Sequence, residues 1–230
     1  MRSPNIGRIS AITIIVAFFA WTAVRSIGAR PAAESRYPFP RPSLDAPLAA
    51  SKSEQTAVLA GGCFWGLQAV FEHLKGVRSV TSGYSGGRVD SPSYELVSSD
   101  LTGHAESVSV KFDPSQISYG QILMIFFSVA HDPTQLNRQG PDDGTQYRSA
   151  IFFSNDEQKR IALAYIQQLD AAKVYPRKIV SEVTPFKAFF PAEGYHQDYL
   201  QTHTDQPYII YNDLPKLDHL KKQFPELYRN

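Results

Sequence analysis

The chain has 230 residues, of which 43% are hydrophobic and 20% charged, and its formal net charge is +1. That length and composition fit a globular protein with one sizeable core, and the near-neutral balance gives no electrostatic case for nucleic acid or an acidic partner. Cys63 is the single cysteine, so an internal disulfide is excluded.

In chain order, Arg2 and Arg8 precede an apolar run from Ile9 to Val24, which Arg25 closes. A basic stretch followed by an apolar one predicts a signal peptide or signal-anchor over residues 1–29, and with it export. The folded domain is then expected in a bacterial periplasm or tethered to a membrane outside the cytosol. The run is somewhat shorter than the roughly 20 residues that span a bilayer comfortably. From residue 30 to 53, Pro31, Pro38, Pro40, Pro42 and Pro47 lie among Ala, Ser and Arg, which predicts an extended or disordered tether. The folded domain is expected over residues 54–230.

Thr56–Ala60 is short and apolar, as in a buried strand, and Leu67, Val70, Phe71 and Leu74 recur at helical spacing up to Gly76. Val77–Ser82 reads as a strand ending at Gly83. The glycine-rich stretch 83–87 lacks the Lys-Ser/Thr of a phosphate loop and reads as a turn. Tyr94–Ser99 predicts a short helix, and Glu106–Phe112 a half-buried strand with Val108, Val110 and Phe112 on one face. Ser118 is placed to cap a helix through Ala130. A strand over Gln146–Phe153 follows, then a capping box at Ser154–Glu157 that opens a helix to about Lys173. Lys178–Thr184 predicts a last strand. The remainder, rich in Tyr, His and Pro, predicts a long irregular tail with short helical pieces. Strands and helices mix without regular alternation, so the expected class is α+β, a two-layer sandwich of a mixed sheet with helices.

Cys63 sits in Gly61-Gly62-Cys63-Phe64-Trp65-Gly66, at a strand-to-helix junction. Two glycines permit a sharp turn and leave the backbone open to a close neighbour. A sulfur at a helix N-terminus meets free N–H groups and the positive end of the dipole, which favour thiolate. An unpaired cysteine is equally a small buried hydrophobe.

Further segments carry more polar residues than their local structure requires: Pro92–Val97, Thr102–Ser107, His131–Gln135, Gln139–Ser149 and Glu193–Tyr199. Gly-Cys-Phe-Trp-Gly, Gly-His-Ala-Glu, His-Asp-Pro-Thr and Gly-Thr-Gln-Tyr-Arg-Ser, in this order, resemble the A-type peptide methionine sulfoxide reductases over about residues 57–203. The resemblance implies reduction of methionine S-sulfoxide, free and in proteins, as repair of oxidative damage. It implies Cys63 as the nucleophile that ends as a sulfenic acid, and Glu106 as the acid for the sulfoxide oxygen. For that task Glu106 must be partly buried with a raised pKa. Tyr94 and Tyr147 match two hydroxyls that hydrogen-bond the same oxygen, Phe64 and Trp65 an aromatic wall for the methyl group on the sulfur, and Asp142 an acid with a positioning or reductant-related role.

Many members of the resembled family carry further cysteines near the C-terminus, and this chain has none. The expected cycle therefore uses one cysteine and an external thiol: a thioredoxin-like protein, a glutaredoxin system or glutathione. No bound cofactor or metal is expected, and the protein is expected to be a monomer. Two other classes stay open on the residues: a cysteine hydrolase or acyltransferase pairing Cys63 with His104 or His196, and a non-catalytic binder of methionine or its sulfoxide.

Overall fold

The computed structural model describes Met1 and residues 39–230. The apolar run over 9–24, and Pro31 and Pro38 of the tether, lie outside these residues. Among the described residues no helix is long and apolar enough to cross a membrane.

β1 (Gln55–Gly61) leads into α1 (Phe64–Glu72), followed by β2 (Val77–Ser85), α2 (Tyr94–Ser98), β3 (Ala105–Phe112) and α3 (Tyr119–Ile125). Two-residue strands β4 (Arg138–Gln139) and β5 (Asp142–Asp143) form a small hairpin. Then come β6 (Ser149–Phe153), α4 (Asp156–Ala171), β7 (Glu182–Pro185), β8 (Phe189–Pro191), α5 (Tyr199–Thr202) and α6 (Leu214–Gln223). The main sheet has the order β7-β6-β1-β3-β2-β8, antiparallel except for the parallel pair β6–β7. This is the expected mixed sheet of an α+β sandwich.

The alternation of side chains along a strand explains the two faces. Ala57 and Leu59 of β1 join the large core with α1, α3, α4 and α6, whereas Val58 and Ala60 join a smaller cluster with Ala105, Ala150 and Phe152. β3 lies between β1 and β2 and is buried along almost its whole length, not half-buried. Val108, Val110 and Phe112 belong to the helix-side core, and Glu106 shares their parity. The pleat therefore turns the carboxyl toward the helix layer and α1.

Several boundaries move. β2 continues through Gly83 to Ser85, because those residues pair with both β3 and β8; the turn begins only at Gly86, where φ is +84°. Tyr147 lies in a 3₁₀ turn, so the strand expected from Gln146 starts at Ser149. The α4 cap is one residue later than the box predicted: Asn155 accepts from Gln158 N, and Gln158 Oε1 accepts from Ser154 N. The helix after Ser118 keeps its cap, with Gln121 completing the box, but passes into a π-helical turn at Phe126–Ala130. β7 is shorter than expected because only Glu182–Pro185 pair with β6.

Where the sequence predicts a disordered tether, residues 39–53 are irregular but attached. Proline removes backbone donors and so excludes these residues from helix and ladder. Side chains hold them instead: Phe39, Leu44 and Ala46 pack on the core, Tyr165 donates to Pro40 O at 2.5 Å, and Gln168 bonds both Ser43 N and Arg41 O. Asp45 accepts from Ser118 Oγ at 2.5 Å and Gly120 N at 2.8 Å, adding a second cap to α3. The packed domain thus starts before Glu54. Asp45→Ala should lower stability by about 1–2 kcal/mol in a urea titration. It should also speed proteolysis within residues 39–53; unchanged midpoint and cleavage would show the attachment to be energetically idle.

Candidate active site

Cys63 is the N-cap of α1, reached through Gly61 and Gly62. Gly62 has φ +94°, and a Cβ there would lie 2.5 Å from Gln139 Cγ. A Cβ on Gly61 would lie 2.9 Å from the His131 ring. The close-approaching groups that the glycines admit are thus side chains of the β4 strand and of the segment after the π-turn.

Glu106, 3% exposed, accepts the amide of Phe64 on Oε2 at 3.0 Å. This is one of the first-turn donors that α1 leaves unsatisfied, so the carboxyl occupies the helix N-terminus beside Cys63. Burial pushes its pKa up to about 8; the Phe64 hydrogen bond opposes this, and nearby Asp142 and Asp213 add to it. The carboxyl is therefore mostly protonated at neutral pH, with its other oxygen available to hold the proton.

Tyr94 begins α2, whose first turn is capped by Ser93 Oγ accepting from Leu96 N at 3.4 Å. Its own amide donates to Glu193 Oε1 at 2.9 Å, and Tyr84 OH donates to Glu193 Oε2, also at 2.9 Å. Burial raises the pKa of both Tyr94 and Tyr147, with the Glu106 charge next among the causes and Cys63 contributing to each. Both phenols stay protonated donors around the acid and the thiol. Asp142, presented by the β4–β5 hairpin, accepts from Tyr208 OH and has its pKa raised by burial. Phe64 is wholly buried, with its ring centroid 5.1 Å from His196 and 5.9 Å from Tyr84. Trp65 stacks on Tyr199 at 3.8 Å and donates from Nε1 to His196 Nδ1 at 3.2 Å.

The thiol departs from expectation. Burial pushes the Cys63 pKa well above its usual value, and the charges of Glu106 and Asp213 push the same way; the Trp65 amide and Lys216 oppose them. Helix-start donors are present, but removing the sulfur from water outweighs them. The resting group is a neutral thiol. It borders a cavity of about 160 Å³ lined also by Gln139, Asp142, Tyr208, Tyr211 and Lys216. Phe64 and Trp65 do not line this cavity.

The C-terminal tail supplies Glu193, which fixes Tyr94, and His196 and Tyr199, which hold Trp65, all within the Glu193–Tyr199 segment, together with Tyr208, Asp213 and Lys216, which no local pattern marked. The segment Glu193–Tyr199 did carry a signal, an excess of polar and aromatic residues without a helical or strand period. Other motif residues are structural. His131 lies between Phe126 O at 3.0 Å and Ser149 Oγ at 2.7 Å, and burial lowers its pKa to about 4. His104 accepts from Gly87 N at 3.1 Å and donates to Val89 O at 2.8 Å. Asp132 closes a turn on Thr134 N at 2.9 Å. Neither His104 nor His196 is bonded to Cys63. Among the described residues no three His, Cys, Asp or Glu side chains converge as a metal site.

A family model described as peptide methionine sulfoxide reductase matches residues 55–228. A peptide methionine sulfoxide reductase of Mesorhizobium japonicum is 58% identical over 179 residues, which cover 78% of this chain and 92% of the relative. One from Thermus thermophilus is 48% identical over 176 residues, 76% of this chain and 98% of that relative. Among solved structures, reduced Mxr1 from Saccharomyces cerevisiae superposes with a TM-score of 0.60 at 31% identity, covering 71% of this chain and 92% of its own. Methionine sulfoxide reductase A of Corynebacterium diphtheriae gives 0.59 at 32% identity, covering 67% and 77%.

The Glu106 shift has a sign that unfolding can read. Between the ordinary value of 4.5 and the folded value of about 8, the native state keeps a proton that the unfolded chain has lost. Stability from this group therefore falls as pH rises through that window, by up to about 1.4 kcal/mol per pH unit. Glu106→Gln cannot ionise, so its advantage over wild type should grow between pH 5 and pH 8 in urea titrations. Parallel pH profiles for the two proteins would contradict the assignment.

Proposed function

We infer the chemistry from two facts together: this chain belongs to the peptide methionine sulfoxide reductase family, and its one thiol lies beside a buried carboxyl that keeps its proton at neutral pH. The protein is a thiol-dependent peptide-methionine (S)-S-oxide reductase that repairs oxidised methionine. The observation that carries the mechanism is the Phe64 amide bond to Glu106, which sets acid and sulfur at the same helix end.

The sulfoxide oxygen enters among Glu106, Tyr94 and Tyr147, whose hydrogens face the negative charge that builds on it. The Cys63 sulfur attacks the substrate sulfur while Glu106 gives its proton to the oxygen, and the proton from the thiol returns to Glu106. The oxygen then passes to Cys63 as the substrate S–O bond and the newly formed sulfur–sulfur bond both break. Methionine leaves with its sulfur reduced by two electrons, and Cys63 becomes a sulfenic acid, oxidised by two. The family resemblance assigns the methyl side of the site to Trp65, which is partly exposed, with the buried Phe64 ring packed beside it, and Asp142 positions the hairpin through Tyr208. With methyl and oxygen held in separate subsites, one epimer, the S form, is selected.

With no second cysteine, an external thiol closes the cycle. It attacks the sulfenic sulfur, water leaves, and a mixed disulfide forms; a second thiol then releases Cys63. A thioredoxin-like protein, a glutaredoxin or glutathione meets this requirement. The basic start and apolar run over 9–24 support export of the domain, which cell fractionation and N-terminal sequencing of the mature protein would test.

Turnover of separated S- and R-sulfoxides with dithiothreitol tests the reading. Cys63→Ser should be inactive, Glu106→Gln should lose about 10²–10³-fold in kcat, and Tyr94→Phe or Tyr147→Phe about 30- to 1000-fold. Without reductant, one equivalent of S-sulfoxide should leave Cys63 trappable by dimedone. Full activity in Cys63→Ser, or an acyl adduct from activated esters in place of the sulfenic acid, would overturn it.

A further inference from the structure

The Asp213–Lys216 pair lies against the thiol-bearing helix, and the reaction above makes no use of it. Nζ of Lys216 is 3.0 Å from Asp213 Oδ1, and the Asp213 side chain is wholly buried. Its Oδ2 has no hydrogen-bond partner among the described residues. The pair sits on the first turn of α1 at Gly66, three residues after Cys63. A Cβ on Gly66 would strike the Asp213 carboxylate and come within 2.7 Å of Lys216 Nζ. Gly66 is thus what lets a charged pair touch this helix start. Lys216 also lines the cavity that Cys63 borders.

The carboxyls around the sulfur come from three elements: Glu106 on β3, which keeps its proton up to about pH 8, Asp142 on β5 and Asp213 in the C-terminal segment, with the neutral phenols of Tyr94, Tyr147 and Tyr208 nearby. His131 beside Gly61 and His196 beside Phe64 have lowered pKa values and add no positive charge at neutral pH. Lys216 is the cation that acts on the thiol, and it favours the ionised sulfur.

We propose that Lys216, held on the first turn of α1 by Asp213, is a positioning residue whose ammonium offsets the negative charge on the Cys63 sulfur. That charge appears when the sulfur attacks and again when a mixed disulfide releases it. Asp213 fixes the ammonium where a free lysine would extend into water. The inference rests on Cys63 being the nucleophile of the proposed reaction.

Because the chain has one cysteine, alkylation by iodoacetamide reports on Cys63 alone, and it requires no sulfoxide chemistry. The rate should be followed against pH for wild type, Lys216→Met, Lys216→Arg, Asp213→Asn and the double variant Asp213→Asn/Lys216→Met, with circular dichroism confirming each fold. Lys216→Met should shift the profile to higher pH by about one unit, slowing alkylation about tenfold below the midpoint, and Lys216→Arg should restore it to within about threefold. The double variant carries no lone buried carboxylate, so it decides the matter if Lys216→Met does not fold. It should react about tenfold more slowly than Asp213→Asn. Superimposable profiles with and without the lysine would overturn the proposal. Loss of turnover by wild type with the shift intact would instead remove the reductase mechanism and leave the charge effect standing.

Discussion

One hydrogen bond, from the Phe64 amide to Glu106 Oε2, ties the central strand of the sheet to the start of the helix that carries the thiol. β3 is locked by β1 on one side and β2 on the other, and the pleat directs Glu106 toward the helix layer. α1 cannot move along the sheet without breaking this bond and exposing an unsatisfied amide in a buried place. Acid and sulfur are therefore positioned by the same rigid elements that make the core, whereas Tyr147 and Asp142 depend on loop and hairpin geometry and Tyr94 on Glu193 of the tail.

Burial acts on both groups in the same chemical direction and with opposite consequences. It keeps Glu106 protonated, which an acid for a leaving oxygen requires, and it keeps Cys63 protonated, which a nucleophile does not. The two are reconciled if the thiol gives up its proton only as the carboxyl gives its own away, so that a lone thiolate never persists in the resting site. The Trp65 amide and Lys216 act on the sulfur in the direction that favours its ionised form. A sulfur that is neutral at rest is also a poor target for stray oxidants, since the thiolate is the form that reacts.

Residues whose signal is local were legible in the sequence. The Gly61–Gly62 turn, the apolar run of β1 and the helical spacing after Cys63 are all written within a dozen residues, and the structure follows them. Glu106 was legible through motif order; its burial follows from a parity with Val108, Val110 and Phe112 that the structure makes plain. The misplaced boundaries share a cause: Gly83–Ser85 looks like a turn until β8 arrives from more than a hundred residues away to pair with it. Tyr147 looks like strand because its neighbours are, but the chain must first complete a 3₁₀ turn after Gly144, where φ is +134°. Tyr208, Asp213 and Lys216 were illegible for the same reason, since nothing near them in sequence says which helix start they will meet; Glu193 and His196 stood in a marked segment, but their partners Tyr94 and Trp65 did not show in it. The described part of the proline-rich stretch, residues 39–53, shows the converse limit: composition excluded regular structure there, and could not reveal that Phe39, Leu44 and Asp45 would find partners.

The central claim is that Glu106 is a neutral acid in the working pH range. Infrared difference spectroscopy of wild type against Glu106→Gln tests it directly, through the carbonyl band of a protonated carboxylic acid. A band assigned to Glu106 that is present at pH 6.5 and disappears with a midpoint near the value of about 8 would agree with the account. A carboxylate signal for Glu106 already complete at pH 6.5 would contradict it.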